Sequence, residues 1–468
     1  MNIYTKKNTL LLFIFITLIF ACSKSEKTKE STILINNATI INVIDGSLLK
    51  RRSILINKGI IQSIGTYAQL KRLALKKNHI DIEHKYVIPG LWDMHAHIDK
   101  LSTNFEHSKS MLSLFTLNGV TSIREMGGNW SKIKKLQDAS NQSHFLPSIF
   151  TAGPILENKA FVDWVAKVDN DPEFKKQRVR IGTSLEVERI IDSVIRLGVD
   201  FLKIRTAASK EVFFEIAKQA KLKGVSFAGH VDAKVDLYEA VKSGISSLEH
   251  LDIFQLSGMS DTKMDSIVLL MKQLKTGYSP TLTYFKKHRI YDRTKLKAFL
   301  NDSTYSTFPN RAYASKRLLE KSFLAIKRSD GSQVPWEKME TNFLKFANKI
   351  VRNNVLVLAG TDGANALVLP GFSLHEELKL YHSELKMTPL QVLQSATINP
   401  AIYFGIEDKK GQIKKGFVAD LVVLNKNPLL DIANIETINS VLKSGKLLTN
   451  DVINRRLKKI RTYNKEHQ

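Results

Sequence analysis

The sequence predicts an α/β fold: a (β/α)8 barrel of the triosephosphate isomerase type, with a small β-sandwich domain built from the N- and C-terminal segments. Three observations predict it. Eight short apolar runs alternate with helical stretches through the middle of the chain, the texture of βα units feeding a parallel sheet. Ile-, Val- and Leu-rich runs broken by Asn, Gly and Asp stand before and after that region and read as short strands of one flanking domain. The chain has 468 residues, 43% apolar and 25% charged, enough for one large domain and a smaller one.

The elements follow in order. Residues 1–22, "MNIYTKKNTLLLFIFITLIFAC", begin with Lys6 and Lys7, continue as an apolar run and end in Ala21-Cys22. The run is shorter than the roughly 20 apolar residues of a membrane-spanning helix and reads as a secretory signal. Cys22 is the only cysteine, so no intrachain disulfide can form. "LIFAC" resembles a bacterial lipobox, which implies lipidation of Cys22 and an anchored place in the bacterial cell envelope, periplasmic or surface-facing. Residues 23–31 are a polar tether.

Residues 32–88 form the first part of the small β domain, with "TILINNATIINVIDG" and "RRSILINKGIIQSIG" as strands. Pro89-Gly90 reads as the hinge into the barrel, residues 89–403. Its strands are "GLWDMHAHI", "GVTSIREMGG", "HFLPSIFTAGP", "VDFLKIRTA", "GVSFAGHV", "ISSLEHLDI", "GYSPTLTYF" and "VLVLAGTDG". Residues 286–349 exceed one crossover helix and read as a helical insertion. Residues 404–450 return to the β domain, and residues 451–468 are a basic tail.

The 70 Lys and Arg outnumber the 45 Asp and Glu, for a net charge of +25. A basic balance of this size can signal nucleic acid or anionic membrane. Here the charge is spread along the chain, and its concentrations ("FKKHRIYDRTKLK", "NRRLKKIRTYNK") lack a nucleic-acid module. Nucleic acid is therefore not an expected partner.

The residues that carry chemistry sit on predicted barrel strands. His95 and His97 end the first, Lys203 lies in the fourth, and His230, His250 and Asp362 end the fifth, sixth and eighth. C-terminal strand ends of a barrel converge on one face. Residues i and i+2 of a strand share a side, so His95 and His97 both face inward. Asp93 shares that face one step deeper and reads as support for the site. Each residue alone is unremarkable, but six at consistent strand ends describe a metal centre. A lysine buried in such a strand either makes a salt bridge or, as a neutral amine, reacts with CO₂ to give an anionic carbamate. His107 and His375 lie near the strand ends without fitting the pattern. His79, His84, His144, His288, His382 and His467 read as structural or exposed.

In these residues the sequence resembles the amidohydrolase superfamily, specifically its imidazolonepropionase-like and prolidase-like dipeptidase branch. "VIPGLWDMHAHI", "GVTSIREMGG", "VDFLKI", "GH", "LEH", "AGTDG" and the C-terminal "TPLQVLQSATINPAIYFGIEDKKGQIKKGFVADLVVLNKNPL" follow in the family's order. The resemblance runs from about Thr32 to Leu448. It implies two divalent metal ions, with zinc favoured and iron or manganese as alternatives. His95, His97 and Asp362 would hold one ion, His230 and His250 the other, and carboxylated Lys203 would bridge them. It implies attack by a metal-bridged hydroxide on a carbonyl carbon, with Asp362 moving the proton. Tyr284 resembles a substrate-contacting tyrosine, with a packed aromatic as the alternative.

The expected activity is cleavage of a carbon–nitrogen bond in a dipeptide, acyl amino acid or cyclic amide. A lactonase or esterase with the same metals, or a non-catalytic surface lipoprotein, are the alternatives. One departure stands out. The loop after the third strand, "TAGPILENKAFVDWVAKVDN", has Phe161 and Trp164 and lacks the histidine common in dipeptide-cleaving relatives.

Overall fold

The computed structural model describes residues 31–467, apart from 169–171, 291–292, 330–335 and 366. Cys22, the signal segment and the tether up to residue 30 lie outside the described residues. Among the described residues no helix is long and apolar enough to cross a membrane.

The two ends of the chain share one sheet. Its order is β17-β16-β15-β5-β1-β2-β3, with β4 pairing β1 off this path. The N-terminal members are β1 (Thr32–Ile41), β2 (Leu48–Asn57), β3 (Ile60–Gly65), β4 (His79–Asp81) and β5 (Tyr86–Pro89). The C-terminal members are β15 (Leu421–Leu424), β16 (Ile438–Lys443) and β17 (Lys446–Leu448). Two stacked sheets were expected, but hydrogen bonding makes one sheet that curls. Ile61 N reaches Phe417 O at 2.9 Å and Gly416 N reaches Ile61 O at 2.8 Å, so β3 meets the segment leading into β15. Curling protects the edge of β3 and encloses a core of Ile35, Ile40, Ile54, Ile56, Val423 and Leu442.

The middle of the chain is α/β with parallel strands. One sheet joins β6 (Leu91–Ala96), β7 (Val120–Glu125) and β8 (Ser148–Thr151). Another has the order β10-β9-β11-β12-β13-β14. Its members are β9 (Ile155–Asn158), β10 (Arg178–Ile181), β11 (Leu202–Ile204), β12 (Phe227–Gly229), β13 (Ser247–Glu249) and β14 (Gly277–Ser279). Every residue of β6 and β7 is buried, as expected where helices cover both faces of a parallel sheet. The helix Val187–Ile195 shows how: Val187, Ile190, Ile191 and Val194 are its buried residues, at the spacing of one helical stripe.

Three local departures follow from sequence features. "VLVLAGTDG" is not a continuous strand. It joins its neighbours through isolated bridges, Tyr278 to Val357 and Ala96 to Gly363, and through Met94 N to Ala359 O at 2.7 Å. The segment read as a loop after the third strand contains β9, the helix Lys159–Val168 and, beyond it, β10. The basic C-terminal segment is a helix, Asn450–His467, that buries Ile453, Ile460 and Asn464.

Glycine serves close approach at two points that shape the site. At Gly90, between β5 and β6, a Cβ would lie 2.1 Å from Thr121 Oγ1. At Gly229, with φ +142°, it would lie 1.9 Å from the Ile204 carbonyl oxygen. That proximity lets His230 N bond Ile204 O at 3.1 Å.

Candidate metal centre

The structure brings the predicted residues together. His97 Nε2 lies 3.3 Å and His95 Nε2 3.7 Å from Asp362 Oδ1. His230 Nε2 and His250 Nε2 are 2.9 Å apart. The His95 and His250 rings join the two groups, with centroids at 4.7 Å. Ligand atoms of His95, His250 and Asp362 fall within 4.8 Å of one another.

Outer hydrogen bonds orient the rings. His95 Nδ1 is 2.8 Å from Glu249 Oε2, His97 Nδ1 is 2.8 Å from Gly127 O, and His250 Nδ1 is 2.8 Å from Thr281 Oγ1. Glu249 and the Gly127 carbonyl can only accept, so Nδ1 of His95 and His97 carries the proton and, in a neutral ring, Nε2 offers a lone pair. The Nε2 atoms of His95 and His97 face the Asp362 oxygen, and those of His230 and His250 face each other. A cluster of imidazole nitrogens beside a carboxylate oxygen could hold a cation.

Electrostatics agree. Burial drives His95 down to about 3 and His230 well below its ordinary value. Burial also lowers His97. Burial raises the Asp362 carboxyl, but hydrogen bonding to His97 and the neighbouring ring charges outweigh it, leaving the group well below its ordinary range.

Lys203 supplies the clearest test of fit. It is 2% exposed, and among the described residues its buried Nζ has no hydrogen-bond partner. An orphaned ammonium is costly in such a place. Burial, helped by the charge of Arg124, lowers its pKa to about 8 despite Glu249. A partly neutral, unpartnered amine beside a set of bare imidazoles fits a bridging carbamate and the ions it would bridge.

The backbone around the centre is strained where the ligands leave their strands. His250 has φ +72° and Asp362 φ +62°, uncommon for residues with a Cβ and concentrated at functional sites. Asp93 fastens two of these strand ends. Its Oδ1 accepts from His95 N at 3.1 Å and Thr361 N at 3.0 Å, and Oδ2 from the Thr361 hydroxyl at 2.6 Å. Tyr284 stands beside the centre, its ring 5.8 Å from that of His250.

Other histidines separate cleanly. His375 Nε2 bonds Asn118 O at 2.9 Å, and His107 bonds Ser102 and Asn464. Both fix helix ends. His288, expected to be structural or exposed, stacks on Tyr284 at 4.3 Å.

Sequence reasoning missed Glu249 and Arg124. Arg124, fully buried in β7, sends Nη2 to Glu249 Oε1 at 2.7 Å, Nη1 to Ser247 Oγ at 2.8 Å and Nε to Met94 O at 2.6 Å. The available signal was the position of Arg124 inside the predicted barrel strand "GVTSIREMGG", where a buried charge needs a partner.

Residues 86–448 match the sequence model of the Amidohydrolase family. Ochratoxinase of Aspergillus niger is 23% identical over 90% of this chain and 87% of its own length. Imidazolonepropionase of Bacillus cytotoxicus is 24% identical over 84% of this chain and 88% of its own. A solved Xaa-Pro dipeptidase with bound methionine in the active site superposes with a TM-score of 0.63 at 22% identity, covering 90% of this chain and all of that one.

Proposed function

The chain belongs to the amidohydrolase family and is a hydrolase, and from that premise we propose that it is a binuclear metal-dependent enzyme cleaving a carbon–nitrogen bond in an amide. The observation that carries this reading is the buried Lys203 amine, without a hydrogen-bond partner among the described residues, in the same molecule as a buried His/Asp cluster able to hold a metal ion. His95, His97 and Asp362 would hold one divalent ion, His230 and His250 a second, and carboxylated Lys203 would join them. Zinc suits this nitrogen-rich set. The ions, when bound, supply Lewis acidity and a nucleophilic water at neutral pH.

The chain's own residues supply the rest. The ionised Asp362 carboxylate takes the proton released on attack and passes it to the departing nitrogen. Glu249, Gly127 and Thr281 fix the rings by their Nδ1 atoms, so no reorientation accompanies the reaction. Tyr284, beside His250, positions the acyl portion of the substrate.

The parallel strands support a closed eight-stranded barrel in which the 355–363 segment fills the place between β14 and β6. We also infer a small domain from residues 32–88 and 404–450 and a lipid anchor at Cys22 in a bacterial envelope. Mass spectrometry of the mature N-terminus tests the anchor: an unmodified Met1 or Cys22 would refute it.

Metal analysis joined to an activity panel tests the function. Two equivalents of transition metal are expected, with turnover of dipeptides, acyl amino acids or cyclic amides. A clean, folded preparation without metal would overturn the binuclear reading, and turnover of lactones alone would replace amide cleavage with ester cleavage.

A further inference from the structure

The strand ends beside Lys203 carry a second constellation that the metal centre does not use. Glu157, at the end of β9, is 1% exposed. Its carboxylate accepts from Arg205 Nη1 at 2.9 Å, from Arg178 Nε at 3.4 Å and from the Thr206 hydroxyl. Two guanidiniums share one carboxylate, which leaves one positive charge over. Lys100 and Asp99 lie close by with opposite signs and do not remove that excess.

Arg205 is the accessible member. Its side chain is 34% exposed, against 10% for Arg178 and none for Glu157. One face of its guanidinium is covered by the Phe161 ring, whose centroid is 4.8 Å away. Among the described residues, its one side-chain hydrogen bond runs from Nη1 to Glu157, so Nε and Nη2 are left as donors. A guanidinium stacked on one face and tied by one nitrogen is held in a fixed orientation. Its free edge presents two parallel N–H groups, the geometry that matches the two oxygens of a carboxylate.

The position is right for a substrate. Arg205 follows β11 directly, and its charge acts on both Lys203 and His230. His230 N bonds Ile204 O at 3.1 Å, which sets Arg205 level with a predicted ligand. The charge of Arg205 is among the influences that keep His230 neutral. Phe161, the residue steadying the guanidinium, belongs to the helix Lys159–Val168, in the segment where the sequence departs from dipeptide-cleaving relatives.

We propose that Arg205 binds a carboxylate of the substrate, so that the bond cleaved belongs to an acidic acyl amino acid or dipeptide and not to a neutral cyclic amide. This inference rests on the hydrolase reading above. The carboxylate has two possible sources, the α-carboxylate of the amine half or an acidic side chain.

Three probes separate these: N-acetyl-phenylalanine, its carboxamide, and the α-amide of N-acetyl-glutamic acid. Each is assayed for cleavage and, by calorimetry, for binding to the metal-loaded protein. At least one acid should exceed the carboxamide by about ten- to a hundredfold in kcat/KM and in affinity, the usual range for a charge-assisted bond. Which acid wins identifies the source. Arg205→Met should abolish the preference, and Arg205→Lys should recover part of it.

If no probe is cleaved but an acid binds through Arg205, the hydrolase reading falls and the carboxylate site stands. Equal binding of acid and carboxamide, no binding of any probe, or an acid preference that survives in Arg205→Met would overturn the proposal. Circular dichroism of both variants verifies that Glu157, which keeps Arg178 and Thr206, still supports the fold.

Discussion

Glu249 accepts a hydrogen bond from His95 Nδ1 at 2.8 Å while its other oxygen is held by Arg124 at 2.7 Å, and all three side chains are buried. The arginine keeps the glutamate ionised. The glutamate in turn fixes the ring of His95 with Nε2 toward Asp362.

Glu249→Gln sets an amide NH₂ against either Arg124 or His95, both donors. Metal affinity should fall about ten- to a hundredfold, as for other partners that orient metal-binding histidines. The unpaired Arg124 should cost about 3–5 kcal/mol of stability. Chelator competition and urea denaturation of the metal-free protein check the two effects. Unchanged metal affinity in a folded variant would remove Glu249 from the site.

Lys203 gives two effects of opposite sign. Lys203→Ala should abolish activity and metal bridging, and short carboxylic acids should restore part of the activity. Lys203→Met should instead stabilise the metal-free chain by about 1–3 kcal/mol, because it removes a buried polar group with no partner. Denaturation curves of both metal-free proteins decide this. A destabilised Met variant would mean that the amine has a structural role.

The candidate ligands were legible in the sequence because each is a polar residue in or at the end of an apolar strand, where few explanations compete. Alternation placed His95 and His97 together, and strand order brought Lys203, His230, His250 and Asp362 to the same end. What held them was less legible. Glu249 stands next to His250 in "LEH", yet its partners Arg124 and His95 come from other strands, and pairing at such sequence separation leaves no local pattern. The same reason hid Glu157, whose arginines lie on β10 and just beyond β11. The curled small sheet escaped notice because alternation gives a buried face but not the number of sheets.

Asp93 should prove essential to alignment. Asp93→Asn keeps Oδ1 as an acceptor for His95 N and Thr361 N but replaces Oδ2 with an NH₂ group, so the short bond that the Thr361 hydroxyl donates to the carboxylate is lost. A loss of about 1–3 kcal/mol is expected, with kcat falling more than KM rises, since both flanks of the centre shift. Normal kcat in Asp93→Asn would show that the strand ends hold register without this link.

Glu377 governs the turn on the other side of the centre, and pH should reveal it. It is fully buried and accepts from Leu282 N at 2.7 Å and Thr283 N at 2.6 Å. It thereby holds the segment that carries Thr281, the partner of His250, and Tyr284. Burial raises its carboxyl from 4.5 to about 8, so the folded state retains a proton that the unfolded chain gives up. That stabilisation is fully present below the unfolded pKa and is lost as pH rises through the folded one. Its slope is about 1.4 kcal/mol per pH unit. The buried histidines act in the opposite sense: His95, lowered to about 3, weakens the fold as pH falls below its ordinary value of 6.5. Comparing native protein with Glu377→Gln cancels the histidines and isolates the glutamate. Urea midpoints of the metal-free proteins should diverge between about pH 5 and 8, with the native protein losing stability relative to the variant as pH rises. Parallel curves would mean that Glu377 is already ionised in the folded state, with its charge balanced by the two backbone N–H groups alone.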